Sequence, residues 1–376
     1  MLHRDIESGL QSKLFKGKAI IIVGPRQVGK TTLLKTLFSK RENTVFWNCD
    51  EPDIREMLAR PTSTELNAMI GKSDIVCIDE AQRVKNIGVT LKLLTDTFPE
   101  KQIIVTGSSA LQLSNSINEP LTGRKYEYTL LPFSVNELIT ENNALSEKRM
   151  LKNRLIYGSY PEVINNPGEE QSILQALASS YLYKDIFSFQ DVRKPDLIER
   201  LLQALALQVG SEVSFNELSQ LLAVDAGTIR RYVDLLEKTY VIFHYHSLSR
   251  NARNELKKGI KIYFFDNGIR NTIISDFKPV ALRSDVGKLW ENYLMSERLK
   301  YNVYNNKHVL PYFWRTMQQQ EIDYIEEKDG TLHAYEYKWN EKRIPKLSLT
   351  FANAYPNHTF TIINTANYQQ FLLGEL

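Results

Sequence analysis

The chain has 376 residues, a length that predicts two or three domains rather than a single core. With 43% hydrophobic and 24% charged residues it has the composition of a soluble globular protein, and no apolar run reaches the roughly 18 to 20 residues of a membrane span. The amino terminus lacks an apolar signal core, and Cys49 and Cys77 lie in apolar runs without nearby metal ligands. We therefore expect a cytoplasmic protein with buried thiols and no membrane partner.

The first part of the chain alternates strand-like and helical patterns. Strand–helix alternation predicts an α/β fold, in which a parallel sheet carries helices on both faces. A polar stretch around Glu141–Lys148 is typical of a domain edge, so we place the boundary of this first domain near residue 145. The predicted strands are Ala19–Val23, Thr44–Asn48, Asp74–Ile78 and Gln102–Thr106.

The first apolar run leads directly into a glycine-rich motif that opens a helix. The motif reads Gly24-Pro25-Arg26-Gln27-Val28-Gly29-Lys30-Thr31-Thr32. Backbone N–H groups of such a loop cradle phosphates, helped by the positive end of the following helix. We predict that this loop binds ATP, that Lys30 neutralises the β- and γ-phosphates, and that Thr31 ligates Mg²⁺.

Two acids at the end of a later strand support this interpretation. Asp79 follows the apolar run Asp74–Ile78 and suits the coordination sphere of Mg²⁺, while Glu80 suits a base that orients the attacking water. The strand Gln102–Thr106 can lie between this strand and the motif strand. Ser108, just after it, is our candidate for sensing the γ-phosphate.

Residues 146–210 have helical spacing, and residues 211–275 have the proportions of a helix-turn-helix followed by a wing. Between Thr228 and Lys261 the chain has eight basic and three acidic residues, a net charge of +5. This concentration predicts contact with nucleic-acid phosphates, although such a loop can also be merely solvated and a winged helix can serve as a spacer. The candidate contact residues are Arg230, Arg231, Arg250, Arg253, Lys257 and Lys258.

Residues 280–376 contain carboxylates whose spacing is typical of a metal-binding site. Glu336 and Lys338 face the same side of a predicted strand, and a hairpin at Lys328–Gly330 would bring Asp323 beside them. Glu291, on a preceding helix, is a further candidate ligand. We predict that Asp323, Glu336 and Glu291 hold Mg²⁺ and that Lys338 positions water, although alternating charge is also common on exposed strands.

Together these motifs resemble a family of bacterial and archaeal AAA-type ATPases, AAA_14/DUF4143. The resemblance spans nearly the whole chain, and the matching segments are GPRQVGKTT, IVCIDEAQ, IIVTGSS, LTGRKYEYTLLPFSVNEL, GSYPEVI and KIYFFDNGIR. It favours Arg124 as an arginine finger acting on a neighbouring subunit, and hence a homo-oligomer that can be a ring. The C-terminal pattern resembles PD-(D/E)XK nucleases, including Holliday-junction resolvases, although Ile322 stands where the proline of that name is expected.

These observations predict a P-loop ATPase core (1–145), a helical lid (146–210), a winged helix (211–275) and a nuclease-like α/β domain (280–376). We expect ATP hydrolysis coupled to action on branched or structured DNA. The alternative is a nucleotide-controlled switch whose C-terminal domain senses a partner without cutting DNA. A protein-remodelling ATPase is a third hypothesis.

Overall fold

The computed structural model describes residues 2–107, 121–179, 195–249 and 259–376. These residues form two compact units. The first contains His3–Pro132 and Lys238–Tyr240, and the second contains Phe133–Glu237 and Val241–Leu376. No helix in the described ranges is long and apolar enough to cross a membrane.

The first unit carries the motif strand and the strands that follow it. Its strands are β1 (Ala19–Val23), β2 (Thr44–Asn48), β3 (Ile75–Asp79), β4 (Gln102–Gly107) and β5 (Lys125–Thr129). Its helices are α1 (Ile6–Ser12), α2 (Lys30–Phe38), α3 (Pro52–Ala59), α4 (Ser63–Ile70) and α5 (Ile87–Thr97), with a short 3-10 helix at Ala81–Arg83.

These strands form a parallel five-stranded sheet in the order β2-β3-β4-β1-β5. The parallel α/β architecture and the place of β4 between β3 and β1 confirm the sequence prediction. β1 and β4 are buried along their whole length, as expected of a parallel sheet covered on both faces. β5 was not predicted, because its sequence alternates polar and aromatic residues at an edge of the sheet.

The second unit combines helices with a second sheet. Its helices are α6 (Val135–Asn142), α7 (Ala144–Tyr157), α8 (Pro161–Asn165), α9 (Glu170–Leu177), α10 (Pro195–Leu207), α11 (Phe215–Leu222), α12 (Ala226–Lys238), α13 (Asn267–Ile273), α14 (Val286–Tyr304), α15 (Leu349–Ala354) and α16 (Tyr368–Leu373). Its strands are β6 (Glu212–Val213), β7 (Ile242–Ser247), β8 (Ile260–Phe264), β9 (Leu310–Arg315), β10 (Glu321–Lys328), β11 (Thr331–Tyr337) and β12 (His358–Ile363).

The second sheet has seven strands in the order β12-β11-β10-β9-β7-β8-β6. β9, β10 and β11 are antiparallel neighbours, whereas β12 joins β11 and β7 joins β9 in parallel. Strands from the predicted winged helix and from the predicted C-terminal domain thus belong to one sheet. The chain order of helix, strands, hairpin, helix, strand and helix after residue 285 is the order expected from the sequence.

The hairpin and the two helices before β7 lie where the sequence places them. Lys328 pairs with Thr331, and Asp329 and Gly330 between them have φ of 51° and 75°, the left-handed values that tight hairpin turns require. α11 begins after Ser214, whose hydroxyl accepts from the Glu217 N–H as an N-cap. The winged-helix interpretation of this region stays a prediction.

Candidate functional site

The glycine-rich loop connects β1 to α2 at the carboxyl edge of the first sheet. Gly24 has a φ of 149°, and a Cβ there would lie 2.0 Å from the Leu130 carbonyl oxygen, so only glycine fits. Gln27 and Gly29 also have positive φ, at 58° and 93°, and Gly29 is the N-cap of α2. The loop therefore has the turning backbone that allows successive N–H groups to converge on a phosphate.

A buried arginine near the amino terminus anchors this loop. The guanidinium of Arg4, which is 1% exposed, donates to the Val28 carbonyl at 2.7 Å and to the Leu131 carbonyl at 2.6 Å. It therefore ties the loop to the segment after β5. The sequence did not reveal this contact, because its members are far apart along the chain and Arg4 belongs to no recognisable motif.

Lys30 lies inside the loop that it was predicted to serve. Its ammonium group is buried and donates to the carbonyls of Gly24 at 3.0 Å and Pro25 at 2.6 Å. These bonds hold the positive charge next to the backbone of the loop. An ammonium group in this position can neutralise a phosphate that binds to the loop N–H groups.

Asp79, at the end of β3, joins two threonines. One carboxylate oxygen accepts from the Thr31 hydroxyl at 2.7 Å, and the other accepts from the Thr106 hydroxyl of β4. Mg²⁺ prefers hard oxygen ligands, and a hydroxyl and a carboxylate side by side at a phosphate-binding loop fit that preference. The predicted pair Thr31 and Asp79 is thus brought together, whereas Thr106 was not named as a site residue.

Glu80 has a strained backbone, with a φ of 54° and a ψ of 39°. Its N–H donates to the Thr106 hydroxyl at 3.2 Å, and its carboxylate accepts from the Gln82 side chain at 2.5 Å. Its backbone and side chain are therefore both fixed next to Asp79. Ser108, the predicted sensor of the γ-phosphate, lies outside the described residues.

Arg124 lies at the opposite edge of the sheet from the loop. Its carbonyl accepts from the N–H of Ala19, the first residue of β1, whereas the loop follows the last residue, Val23. A strand of this length spans about 13 Å. The guanidinium pairs with Asp96 at 2.6 Å. Arg124 therefore does not point to the glycine-rich loop of its own chain. Its predicted role as an arginine finger can only concern the loop of a second copy, and this role stays a prediction.

In the second unit, a group of acids and lysines forms around Lys261 of β8. The Lys261 ammonium is 1% exposed and lies 3.0 Å from a Glu291 oxygen and 2.5 Å from a Glu321 oxygen. Tyr263, on the same face of β8, donates to Glu291 at 2.7 Å. A Cβ on Gly210 would lie 3.0 Å from the other Glu291 oxygen, so glycine there leaves room for this carboxylate.

Asp323, Glu336 and Lys338 are brought together as the sequence predicts. Lys338 lies 2.6 Å from a Glu336 oxygen and 3.9 Å from an Asp323 oxygen, and the Tyr337 N–H donates to that Asp323 oxygen at 2.7 Å. Below, the term acid cluster denotes the following residues: Lys261, Glu291, Glu321, Asp323, Glu336 and Lys338.

Burial and like charge change the protonation of the acid cluster. Burial and the Asp323 carboxylate raise the pKa of Glu336 to about 7. The pKa of Glu291 also rises to about 7, mainly through burial and against the opposing effect of Lys261. Burial lowers the pKa of Lys261, but Glu291, Asp323 and Glu321 together raise it well above its usual value, so this lysine stays charged.

The acids of this cluster do not fit a divalent ion. Glu291 and Glu321 pair with Lys261, and Glu336 pairs with Lys338. Across the described ranges, no group of three or more His, Cys, Asp or Glu side chains is arranged to hold a metal ion. Lys261 was counted among the basic residues of a nucleic-acid surface, and this was wrong, since it is buried and neutralised.

Of the residues predicted to contact nucleic acid, only two lie in the part of the chain that the structure describes. Arg230 and Arg231 are exposed on α12. Arg230 lies 4.7 Å from the centre of the Phe215 ring, and Arg231 donates to the Thr228 hydroxyl at 3.1 Å. The remaining candidates lie outside the described residues: Arg250, Arg253, Lys257 and Lys258.

Comparison with known families divides the chain into three segments. Residues 16–139 match the family model of an AAA domain, AAA_14. Residues 148–279 match a domain of unknown function, DUF8612, and residues 286–374 match another, DUF4143. Residues 16–139 are therefore similar to an AAA domain, and residues 286–374 are similar to the DUF4143 domain.

Individual relatives cover most of the chain at low identity. The uncharacterized protein Rv2008c of Mycobacterium tuberculosis is 27% identical over 343 residues, covering 89% of this chain and 74% of that protein. An uncharacterized protein of Haemophilus influenzae is 26% identical over 283 residues, covering 68% of each chain. The solved Walker-type ATPase PABY2304 of Pyrococcus abyssi has a TM-score of 0.51 at 16% identity, covering 73% of this chain and 96% of that one, and therefore has a similar fold.

Proposed function

We propose that this chain, with its AAA domain at residues 16–139 and its DUF4143 domain at residues 286–374, is a Mg²⁺-dependent ATPase. The proposal depends on the pairing of Thr31 with Asp79 beside the phosphate-binding loop. The N–H groups of the loop and the Lys30 ammonium would bind the β- and γ-phosphates. Bound at Thr31 and Asp79, Mg²⁺ would neutralise phosphate charge during hydrolysis.

Glu80 would act as the base that orients the attacking water. Its carboxylate is held by Gln82, and its N–H is held by the same Thr106 that contacts Asp79. Fixed geometry matters here, because a general base must lie within hydrogen-bond reach of the proton that it accepts. Thr106 would thus couple the position of the base to that of the magnesium-binding acid.

We further propose that the second unit engages DNA, with a preference for branched or structured DNA. Two observations support this: the exposed Arg230 and Arg231 on one helix, and the net charge of +4 between Thr228 and Ile260, a range that leaves out the buried Lys261. Basic residues grouped in this way bind phosphates with a strong dependence on salt. The preference for branched DNA depends only on the resemblance of the Asp323, Glu336 and Lys338 pattern to resolvases.

A nucleotide-controlled switch is the second candidate function. The observation in its favour is that Lys261 and Lys338 already neutralise acids of the cluster. In that case ATP would order an assembly, and the second unit would bind a partner without cutting DNA. We also propose a homo-oligomer, in which Arg124 of one copy serves the nucleotide of the next.

One assay distinguishes these functions. ATP turnover is measured with Mg²⁺, first alone and then with single-stranded, duplex and four-way-junction DNA, and cleavage is scored in the same samples. Turnover above the level of a Lys30→Ala control supports the ATPase, and stimulation by one DNA form that weakens with salt supports DNA engagement. Turnover unchanged by any DNA contradicts action on DNA and favours the switch, and no turnover at all contradicts the ATPase.

A further inference from the structure

The acid cluster brings four carboxylates, from Glu291, Glu321, Asp323 and Glu336, into a partly enclosed region. Such a concentration of negative charge needs positive charge nearby, because each buried ion loses several kcal/mol of hydration. The sequence pattern assigns this role to Mg²⁺. The structure instead contains a lysine from outside the pattern: Lys261, which precedes the pattern by 62 positions relative to Asp323.

Lys261 is the most deeply buried charged group of the cluster. It is 1% exposed, whereas the side chain of Lys338 is 25% exposed. Its ammonium contacts oxygens of two acids from two elements, Glu291 of α14 and Glu321 of β10. Asp323 also contributes to the electrostatic stabilisation of this charge.

The strand that carries Lys261 leaves it little freedom to move away. β8 is buried along its whole length and pairs with β7 on one side and with β6 on the other, where Lys261 is opposite Glu212. Tyr263, two residues later on the same face, binds the same Glu291 oxygen as Lys261 does. Backbone pairing thus fixes the position of Lys261 in the strand, and Glu291 and Glu321 hold its ammonium group.

We propose that Lys261 is the resident cation of the acid cluster, and that it excludes Mg²⁺ and Mn²⁺ from the acids while it is present. Replacing it with an uncharged residue turns the cluster into a divalent-cation site. The inference is independent of ATP hydrolysis and of DNA binding. It predicts that Asp323, Glu336 and Lys338 lie together without binding a divalent ion.

The test measures Mn²⁺ binding by electron paramagnetic resonance, without nucleotide and at pH 8. The full chain carries Asp79→Asn, so that the loop in the first unit does not contribute a carboxylate. The pH is kept above the pKa of about 7 that Glu291 and Glu336 have while Lys261 is present, because ionised carboxylates bind a metal ion better than protonated ones. We expect no stoichiometric Mn²⁺ binding in this background protein. After Lys261→Met we expect a single site, with an affinity for Mn²⁺ roughly tenfold or more above any residual binding of the background protein.

Two matched variants identify the site. Adding Asp323→Asn to Lys261→Met removes the gained site, because an acid of the cluster is lost. Lys338→Met removes an equal charge from the same cluster at a more exposed position, and we expect a smaller gain in Mn²⁺ affinity than with Lys261→Met. An equal gain with Lys338→Met overturns the assignment to Lys261.

The background protein provides a test that does not depend on the stability of the lysine variant. The proposal is overturned if this protein, with Lys261 present, binds Mn²⁺ stoichiometrically and loses that binding on Asp323→Asn. If Lys261→Met lowers the melting temperature, we expect Mn²⁺ to restore it and an equal ionic strength of Na⁺ not to do so. Failure of Mn²⁺ to restore the melting temperature also contradicts the proposal.

Discussion

At the scale of single residues, the nucleotide site depends on charges that the loop backbone holds in place. The Lys30 ammonium is fixed by two carbonyls of its own loop. We expect Lys30→Ala to lower ATP turnover by at least about 100-fold and to weaken nucleotide binding, because phosphate neutralisation is lost. Turnover and the affinity for a fluorescent ATP analogue are the measurements. Normal turnover in this variant refutes the assignment of the loop.

Glu80→Gln separates binding from hydrolysis. The amide keeps the shape of the side chain but cannot accept a proton from water, so we expect ATP binding to persist while kcat falls by about 100-fold or more. Binding is measured with the same analogue, and turnover by phosphate release. A variant that still hydrolyses ATP at the normal rate shows that Glu80 is not the base.

Thr106 joins Asp79 and the Glu80 N–H through one hydroxyl. We expect Thr106→Val to lower kcat by roughly tenfold with little change in KM, because the base and the acid lose their common support. Thr95→Val is the matched control, since the Thr95 hydroxyl is also buried but bonds the Leu91 carbonyl of its own helix. Equal effects of the two substitutions would indicate lost stability rather than lost positioning.

What the sequence predicts at this scale depends on the distance between partners along the chain. The loop motif and Asp79 are predictable because each lies at a strand end with a recognisable pattern. Arg4 and Lys261 were missed as site residues because their partners are distant in the sequence. The partners of Arg4 lie 24 and 127 positions away, and Glu291 lies 30 positions from Lys261. Only tertiary packing creates such contacts.

At the scale of elements, most strands were predicted from the sequence, whereas β5 and β6 were not. β1 and β4 are buried throughout, so their composition reveals them. β5 alternates polar and aromatic residues at an edge of the sheet, and β6 has only two residues, so neither shows an apolar run. The union of β7 with β9 in one sheet was not predictable either, because no local signal encodes which strand pairs with which.

Two sequence segments that carry the family resemblance, GSYPEVI and KIYFFDNGIR, meet in a buried polar network of the second unit. Asp266 accepts from the Ser159 N–H at 2.7 Å and caps α13 through the Ile269 N–H. Asn271 donates to the carbonyls of Leu155 and Ile156 at the end of α7. We infer that these segments stabilise the unit, since their polar groups are occupied by backbone partners.

This network predicts a strict requirement for glycine at position 158. Gly158 has a φ of 70°, and a Cβ there would lie 2.0 Å from an Asp266 oxygen. We expect Gly158→Ala to lower the free energy of unfolding by about 3 kcal/mol or more, because the alanine adds both backbone strain and a steric clash with Asp266. The measurement is urea denaturation of the whole chain.

Gly168→Ala is the matched control for backbone strain alone. Gly168 also has a positive φ, 96°, but a Cβ there meets nothing within 4 Å. We expect a loss of only about 1–2 kcal/mol. Equal losses in the two variants would show that strain, and not contact with Asp266, determines the requirement.

At the scale of the whole molecule, the proposed role of Arg124 as an arginine finger requires a second copy of the chain. The residue precedes β5 at the edge of the sheet where β1 begins, and the nucleotide loop follows the end of β1. If Arg124 serves the nucleotide, it must serve that of another copy. We expect Arg124→Ala to keep ATP binding and to lower turnover by about 1000-fold.

A mixing experiment distinguishes this role from a structural one. Arg124→Ala and Glu80→Gln proteins are each expected to be inactive, but a mixed assembly contains interfaces with Glu80 on one copy and Arg124 on the next. Turnover should therefore return when the two are combined, in proportion to the mixed interfaces formed. Asp96→Asn removes only the partner of Arg124 at 2.6 Å, so it should leave turnover intact. Inactive mixtures, or normal turnover in Arg124→Ala alone, would contradict the action of Arg124 on a neighbouring copy.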